Sequence, residues 1–215
     1  MSMSNDELKV SFDFWDAKHS SYERDKIITD GWLDGFQNII KGCSTPILDL
    51  GCGGGNDTLY FINCGKEVIP CDQSPNAIMN IRRNFPEVKD ARVFNFLDGF
   101  DFPDKSFEII CADLCLHYFR MEDTAFILQE LKRLLVPGGH LFARVNSVKD
   151  TLHGAGQGEE IEHHVYKLED GAVKRFFDEE DVKTVFADFE IEFCEEQRMG
   201  RYGTEKIVYS LCLKR

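Results

Sequence analysis

From Pro46 onward, short apolar runs alternate with longer stretches whose apolar positions recur at helical spacing. Pro46 to Leu50, Glu67 to Cys71, Arg92 to Leu97, Phe107 to Ala112 and Leu141 to Val145 read as strands, each a brief β-prone run bounded by turn formers. Between them, Asn56 to Cys64, a segment from Ser74 to about Phe85, and Glu122 to Leu135 read as helices. Ser74 suits a helix N-cap and Pro75 a first turn. Phe126, Ile127, Leu131, Leu134 and Leu135 share one helical face, and Pro137-Gly138-Gly139 predicts the end of that helix before the next strand. Repeated βα units of this kind require a mostly parallel sheet, right-handed crossovers and ligands at the carboxyl ends of the strands.

The two ends of the chain break this alternation. Residues 5 to 41 are mainly helical in pattern, with Trp32, Leu33, Phe36, Ile39 and Ile40 near helical spacing. Asp178 to Ala187 predicts a last helix, and Phe189 to Phe193 and Lys206 to Leu213 predict two strands that close the sheet as a hairpin. The expected fold is therefore α/β: a Rossmann-like, seven-stranded, mostly parallel sheet with helices on both faces and a C-terminal antiparallel hairpin. A single domain over 1–215 is expected, with 1–41 as a helical cover and 147–177 as an insertion on the ligand side.

Composition narrows the function classes. Hydrophobic residues at 43% and charged ones at 29% describe a chain that folds. A net charge of −13 repels a phosphate backbone, so nucleic acid is expected not to be a partner. The N-terminal segment lacks the apolar stretch of a secretion signal, and no run approaches the roughly 18 apolar residues of a membrane span, which predicts a cytoplasmic protein without a membrane partner. Eight cysteines form no CxxC pair; Cys111, Cys115 and His117 cluster in sequence but suggest no fourth ligand, so no metal is expected.

The chemistry concentrates where Ile47-Leu48-Asp49-Leu50 meets Gly51-Cys52-Gly53-Gly54-Gly55. A carboxylate two residues before a glycine turn, between a strand and a helix, allows the backbone to bend sharply against a ligand. Asp72, at the end of the second strand, supplies an acid of the kind that accepts hydrogen bonds from ribose hydroxyls. With these residues in register, residues 45 to 145 resemble the class I S-adenosylmethionine-dependent methyltransferases, in particular the small-domain group that includes the tellurite-resistance and thiopurine-type enzymes.

The resemblance implies that Asp49, Gly51, Gly53 and Gly55 hold the methionine part of S-adenosylmethionine, with Cys52 also at the cofactor, that Asp72 binds the ribose, and that Gln73 lies beside it on the adenosine edge. It implies further that Leu97 and Asp98 meet the adenine, that Ala112 lies in the segment beside the methyl donor, and that S-adenosylhomocysteine is the product. Tyr22 is a candidate for the donor's carboxylate, and Trp15 either covers the cofactor or packs the N-terminal helix. A small-molecule acceptor is expected, and a base is needed only where the acceptor must lose a proton, with Asp113 and His117 the nearest candidates. Residues 147 to 166 would then form a mobile lid, a surface loop being the other reading. Two other functions use the same motif: a non-catalytic cofactor-binding protein, and a nicotinamide-dinucleotide enzyme, which requires a glycine where Asn56 stands. Arg144, at the end of an apolar strand, calls for a carboxylate partner or an anionic substrate.

Overall fold

Ten strands and six α-helices are resolved in the computed structural model, which describes residues 2–21, 27–201 and 203–215. The strands are β1 (Ile47–Leu50), β2 (Val68–Asp72), β3 (Arg92–Val93), β4 (Phe107–Asp113), β5 (Leu135–Asn146), β6 (Glu159–Glu162), β7 (Val165–Lys167), β8 (Val173–Arg175), β9 (Glu190–Met199) and β10 (Lys206–Lys214). The helices are α1 (Asn5–Lys18), α2 (Gln37–Gly42), α3 (Asn56–Asn63), α4 (Pro75–Asn84), α5 (Met121–Leu134) and α6 (Glu179–Val185). Seven strands form one sheet in the order β3-β2-β1-β4-β5-β10-β9. The first five pair in parallel, and β10 runs antiparallel between β5 and β9.

Strand periodicity assigns each side chain to a face. Leu48, Ile110 and Ala143 pack with Leu131 of α5 and Val182 of α6, whereas Ile47, Cys111 and Phe142 pack with Ile40 of α2 and Phe61 of α3. Continuing this alternation by one pair of residues puts Asp113 of β4 and Arg144 of β5 on the second face, at the open carboxyl end of the sheet.

Three elements depart from the sequence pattern. The third strand stops after Val93, and Phe96–Asp98 forms a 3-10 turn, because the Asn95 side chain accepts from the Leu97 amide and Gly99 turns the chain at a φ of +84°. Pro137-Gly138-Gly139 does not interrupt the chain before a strand: β5 begins at Leu135 and runs through it, with a register shift against β4 between Phe107 and Ile109. The bulge takes up the turn-forming residues while both ends of the strand stay paired. The segment after β5 is structured as well. It leaves at Ser147, forms the antiparallel sheet β6-β7-β8, and returns at Phe177, which bridges to Ser147.

Of the predicted N-terminal cover, α1, α2 and short 3-10 turns are helical, while Ile27–Asp30 is irregular. Ser4 and Glu7 form a reciprocal capping box at the start of α1. Glu7 also pairs with Arg120 at 2.8 Å, and the Met3 amide donates to Asp123 on α5. At the far end, Asp16 accepts from Ser74 Oγ at 2.6 Å and from the Asn76 amide at the start of α4. Helix α1 thus bridges the N-termini of α5 and α4, across the carboxyl ends of the strands between them. Among the described residues, no helix is long and apolar enough to cross a membrane.

The Arg120 guanidinium holds the Glu7 carboxyl down at about 2. A depressed folded-state value means that this pairing stabilises fully above the ordinary glutamate range and that the gain is lost as pH falls through about 2. Glu7→Gln is therefore expected to lower the melting temperature at pH 7, and its difference from the native protein should shrink between about pH 4.5 and pH 2. Thermal melts of both proteins across that range check the assignment.

Candidate cofactor and acceptor site

The glycine turn is built by hydrogen bonds to β2. Gly51 and Cys52 both donate their amides to the Cys71 carbonyl, at 2.8 and 3.0 Å, and Gly53 donates to Asp72 Oδ2 at 2.9 Å. Asp72 Oδ1 accepts from the Ser74 amide, so this one carboxylate orders both the turn and the start of α4. Gly51 lies at a φ of +70°, and a Cβ there would come within 2.5 Å of Cys115 Cβ. Only glycine brings β1 this close to the end of β4. At Gly53, with a φ of +49°, a Cβ would point at His19 Cε1 from 3.1 Å.

His19, just past α1, therefore lies over the glycine turn, and Trp15 stacks on it while also meeting Tyr118 edge-on. Burial lowers the His19 pKa against the opposing pull of Asp72 and Asp16. The cleft so formed has a sharply turned backbone as its floor, a buried carboxylate at its side and aromatic rings above. A nucleoside with hydroxyls to donate and a flexible amino-acid tail fits that donor set.

Asp49 lies under α3 instead. It is 1% exposed, accepts from Thr58 Oγ1, and its carboxyl is pushed up to about 7, chiefly by burial. Gln73 and Leu97 are half-buried, Asp98 is exposed, and the Ala112 side chain is packed in the core. Cys52 is buried at the turn, and Tyr22 lies outside the described residues.

Beyond the turn, Arg144 has the carboxylate partners that its position called for. It bonds Asp113 through Nε and Nη2, both at 2.7 Å, and reaches Asp30 through Nη1 at 2.8 Å. Arg201 bonds the same two carboxylates at 2.7 and 2.8 Å. The Arg144 guanidinium also lies 4.6 Å above the Trp32 ring, whose Nε1 donates to Asp57. Burial pushes Asp113 up, but the two guanidiniums outweigh it and hold the carboxyl well below the usual range. Burial, with Asp113 beside it, pushes the Asp57 carboxyl well above the usual range, whereas the two guanidiniums hold Asp30 below it. Asp30, Asp57 and Arg201 carry no motif of their own; an odd buried arginine was the one sign in the sequence that such partners exist.

His117 is the other proton-accepting candidate. It is 1% exposed, and neither ring nitrogen has a hydrogen-bond partner among the described residues. Burial, reinforced by Lys206 and Lys174, lowers its pKa well below the ordinary imidazole value, so the ring is neutral at pH 7. Among the lid residues, His153 is bonded to Asp150, and His163 is exposed beside Asp181.

Residues 48–143 match a family described as a methyltransferase domain. An uncharacterized methyltransferase of Synechocystis is 29% identical over 111 residues, which cover 52% of this chain and 51% of that protein; the chain thus spans about half of that relative's length. A tRNA N(3)-methylcytidine methyltransferase of Schizosaccharomyces pombe is 25% identical over 82% of this chain and 76% of its own. Among solved structures, the Burkholderia thailandensis 1,6-didemethyltoxoflavin-N1-methyltransferase shares the fold with a TM-score of 0.68, at 20% identity over 100% of this chain and 91% of that one. The tRNA-modifying relatives overturn the expectation that nucleic acid is excluded. Net charge sums over the whole surface, whereas phosphate contacts need only a local basic stripe or a partner's.

Arg144→Met is expected to destabilise the fold by about 3–5 kcal/mol, because Asp113 stays buried with one cation fewer. Urea denaturation of the variant beside the native protein measures it.

Proposed function

We propose that the chain is a class I S-adenosylmethionine-dependent methyltransferase that transfers the cofactor's methyl group to a small-molecule acceptor by in-line displacement. The observation that carries this reading is the glycine turn bonded to the Asp72 carboxylate at the open end of the sheet. When bound, S-adenosylmethionine supplies an electrophilic methyl carbon that joins the acceptor's lone pair as its bond to sulfur breaks, leaving S-adenosylhomocysteine. In this reading Asp72 accepts from the ribose hydroxyls, with Gln73 beside it, and the backbone of Gly51, Cys52 and Gly53 lies along the methionine part. Leu97 and Asp98 border the adenine, and Ala112 supports the strand end beneath it. The buried acid of Asp49 braces the turn from below through Thr58.

Asp113 is committed to two guanidiniums, which leaves it a poor proton acceptor. His117, neutral and with ring nitrogens to offer, is the better group to take a proton from an acceptor that must lose one. Alignment of nucleophile and methyl, enforced by the cover of α1 and β6–β8, supplies most of the acceleration. A small acceptor is supported by the burial of His117 beneath that cover; the whole chain is read as one cytoplasmic domain. A second reading, an RNA base as acceptor, is favoured by the tRNA-modifying relative, whose match covers most of the chain.

Asp72→Ala is expected to weaken S-adenosylhomocysteine binding by roughly 1–3 kcal/mol, through loss of a charge-assisted acceptor and of the bond that orders Gly53. Calorimetry on the folded variant checks it, and unchanged affinity would remove the cofactor assignment. For the acceptor, release of S-adenosylhomocysteine is measured with a panel of small phenols, amines and thiols and, separately, with tRNA transcripts. Turnover is expected with the small molecules; turnover with tRNA alone would put the second reading in its place.

A further inference from the structure

Next to His117 lies a group of polar side chains that methyl transfer as such does not need. Lys174 of β8 and Lys206 at the start of β10 both act electrostatically on His117 and on each other. Lys206 donates to Asp150 Oδ2 at 2.9 Å, whereas Lys174 Nζ reaches only the His153 carbonyl, at 3.3 Å. The second oxygen of Asp150 is engaged by His153 Nδ1 at 2.7 Å and by the Ile207 amide. Asp150 thus bonds Lys206, while Lys174 has no carboxylate within bonding distance among the described residues and feels Asp170 and Asp150 only through space.

Beside these two lysines are buried groups without hydrogen-bond partners among the described residues. Asn146 ends β5 and is 1% exposed, and neither its amide oxygen nor its amide nitrogen is hydrogen-bonded among the described residues; the same holds for both ring nitrogens of His117. The turn holding His117 packs against both β5 and β8, and Asn146 pairs with Val208, two residues from Lys206. Buried polar groups in folded proteins are almost always satisfied, and unpaired ones are costly. A ligand oxyanion would satisfy the donors among them: it would accept from the Asn146 amide nitrogen and from the Lys174 ammonium.

Resting on the methyl-transfer reading above, we propose that Lys174, Lys206 and Asn146 form an oxyanion subsite beneath β6–β8 that binds the carboxylate or phosphate of a small acceptor and sets the acceptor beside His117. Two lysines at one end of the site and the donor at the other would give the acceptor a fixed direction. The shared chemistry is a compact oxyanion, and benzoate and inorganic phosphate separate its two sources.

The test uses the full chain saturated with S-adenosylhomocysteine and titrates sodium benzoate or sodium phosphate at constant ionic strength, read by calorimetry. At least one anion is expected to bind saturably, Lys174→Gln to weaken it about ten-fold, Lys174→Arg to retain it, and Lys183→Gln, on the exposed face of α6, to leave it unchanged. A crystal structure with the bound anion should place it on Lys174 and Asn146. Failure of S-adenosylhomocysteine to bind would sink the methyltransferase reading itself. Cofactor binding without anion binding, equal affinity in Lys174→Gln, or an anion located elsewhere would overturn the subsite alone; should Lys174→Gln not fold, the native titration and the crystal structure decide.

Discussion

Burying two guanidiniums at the carboxyl end of a parallel sheet is the constraint around which the ligand side of this protein is organised. Desolvating such groups costs several kcal/mol each unless the geometry of the partners is close to ideal. Here Asp113 faces Arg144 through two parallel bonds, Arg201 and Asp30 complete the exchange, and Asp57 lies 3.5 Å from Arg201. The residues come from the N-terminal segment, α3, β4, β5 and the β9–β10 turn, so one electrostatic requirement fixes five distant parts of the chain relative to one another.

That fixed frame positions the cofactor side and the acceptor side separately. The turn after β1 is held to β2 by backbone bonds and Asp72, and to the end of β4 by a contact that only a glycine at 51 permits. The acceptor side hangs from the end of β5, where the chain leaves at Ser147 and returns at Phe177 to build a small sheet over His117. Departure and return share one bridge, while Val165 and Val173 of the insertion are buried in the same cluster as the sheet residues Ala143 and Val145. In the proposed reading, donor binding and acceptor choice fall to different elements.

Helix α1 ties the two sides together. It is anchored by Glu7 and Met3 at α5 and by Asp16 at α4, and its aromatic end lies over the glycine turn. Of these anchors, Asp16 sets its carboxylate on the Asn76 amide at the N-terminus of α4, where the helix dipole favours it, whereas Glu7 pairs with the Arg120 side chain and Asp123 in the first turn of α5 accepts from the Met3 amide. They hold the roof by its rim and leave the middle to aromatic packing.

Periodicity and glycine chemistry alone determined the strand and helix order, the parallel core with its antiparallel hairpin, and the placement of Asp49, the glycine turn and Asp72 toward the carboxyl ends of the first two strands. These are local signals: a strand reads its own alternation, and a turn declares itself through residues that tolerate positive φ. The sheet built over residues 147–177 was not legible, because three short strands paired only with each other leave little periodicity to read. Nor were the partners of Arg144, since Asp30, Asp57 and Arg201 meet it only across long chain separations. The pKa directions of Asp49, His117 and Asp113 likewise came from what packs around them: burial raises Asp49 and lowers His117, whereas two guanidiniums outweigh burial at Asp113. Desolvation and ion pairing depend on neighbours in space, and only the tertiary structure supplies those.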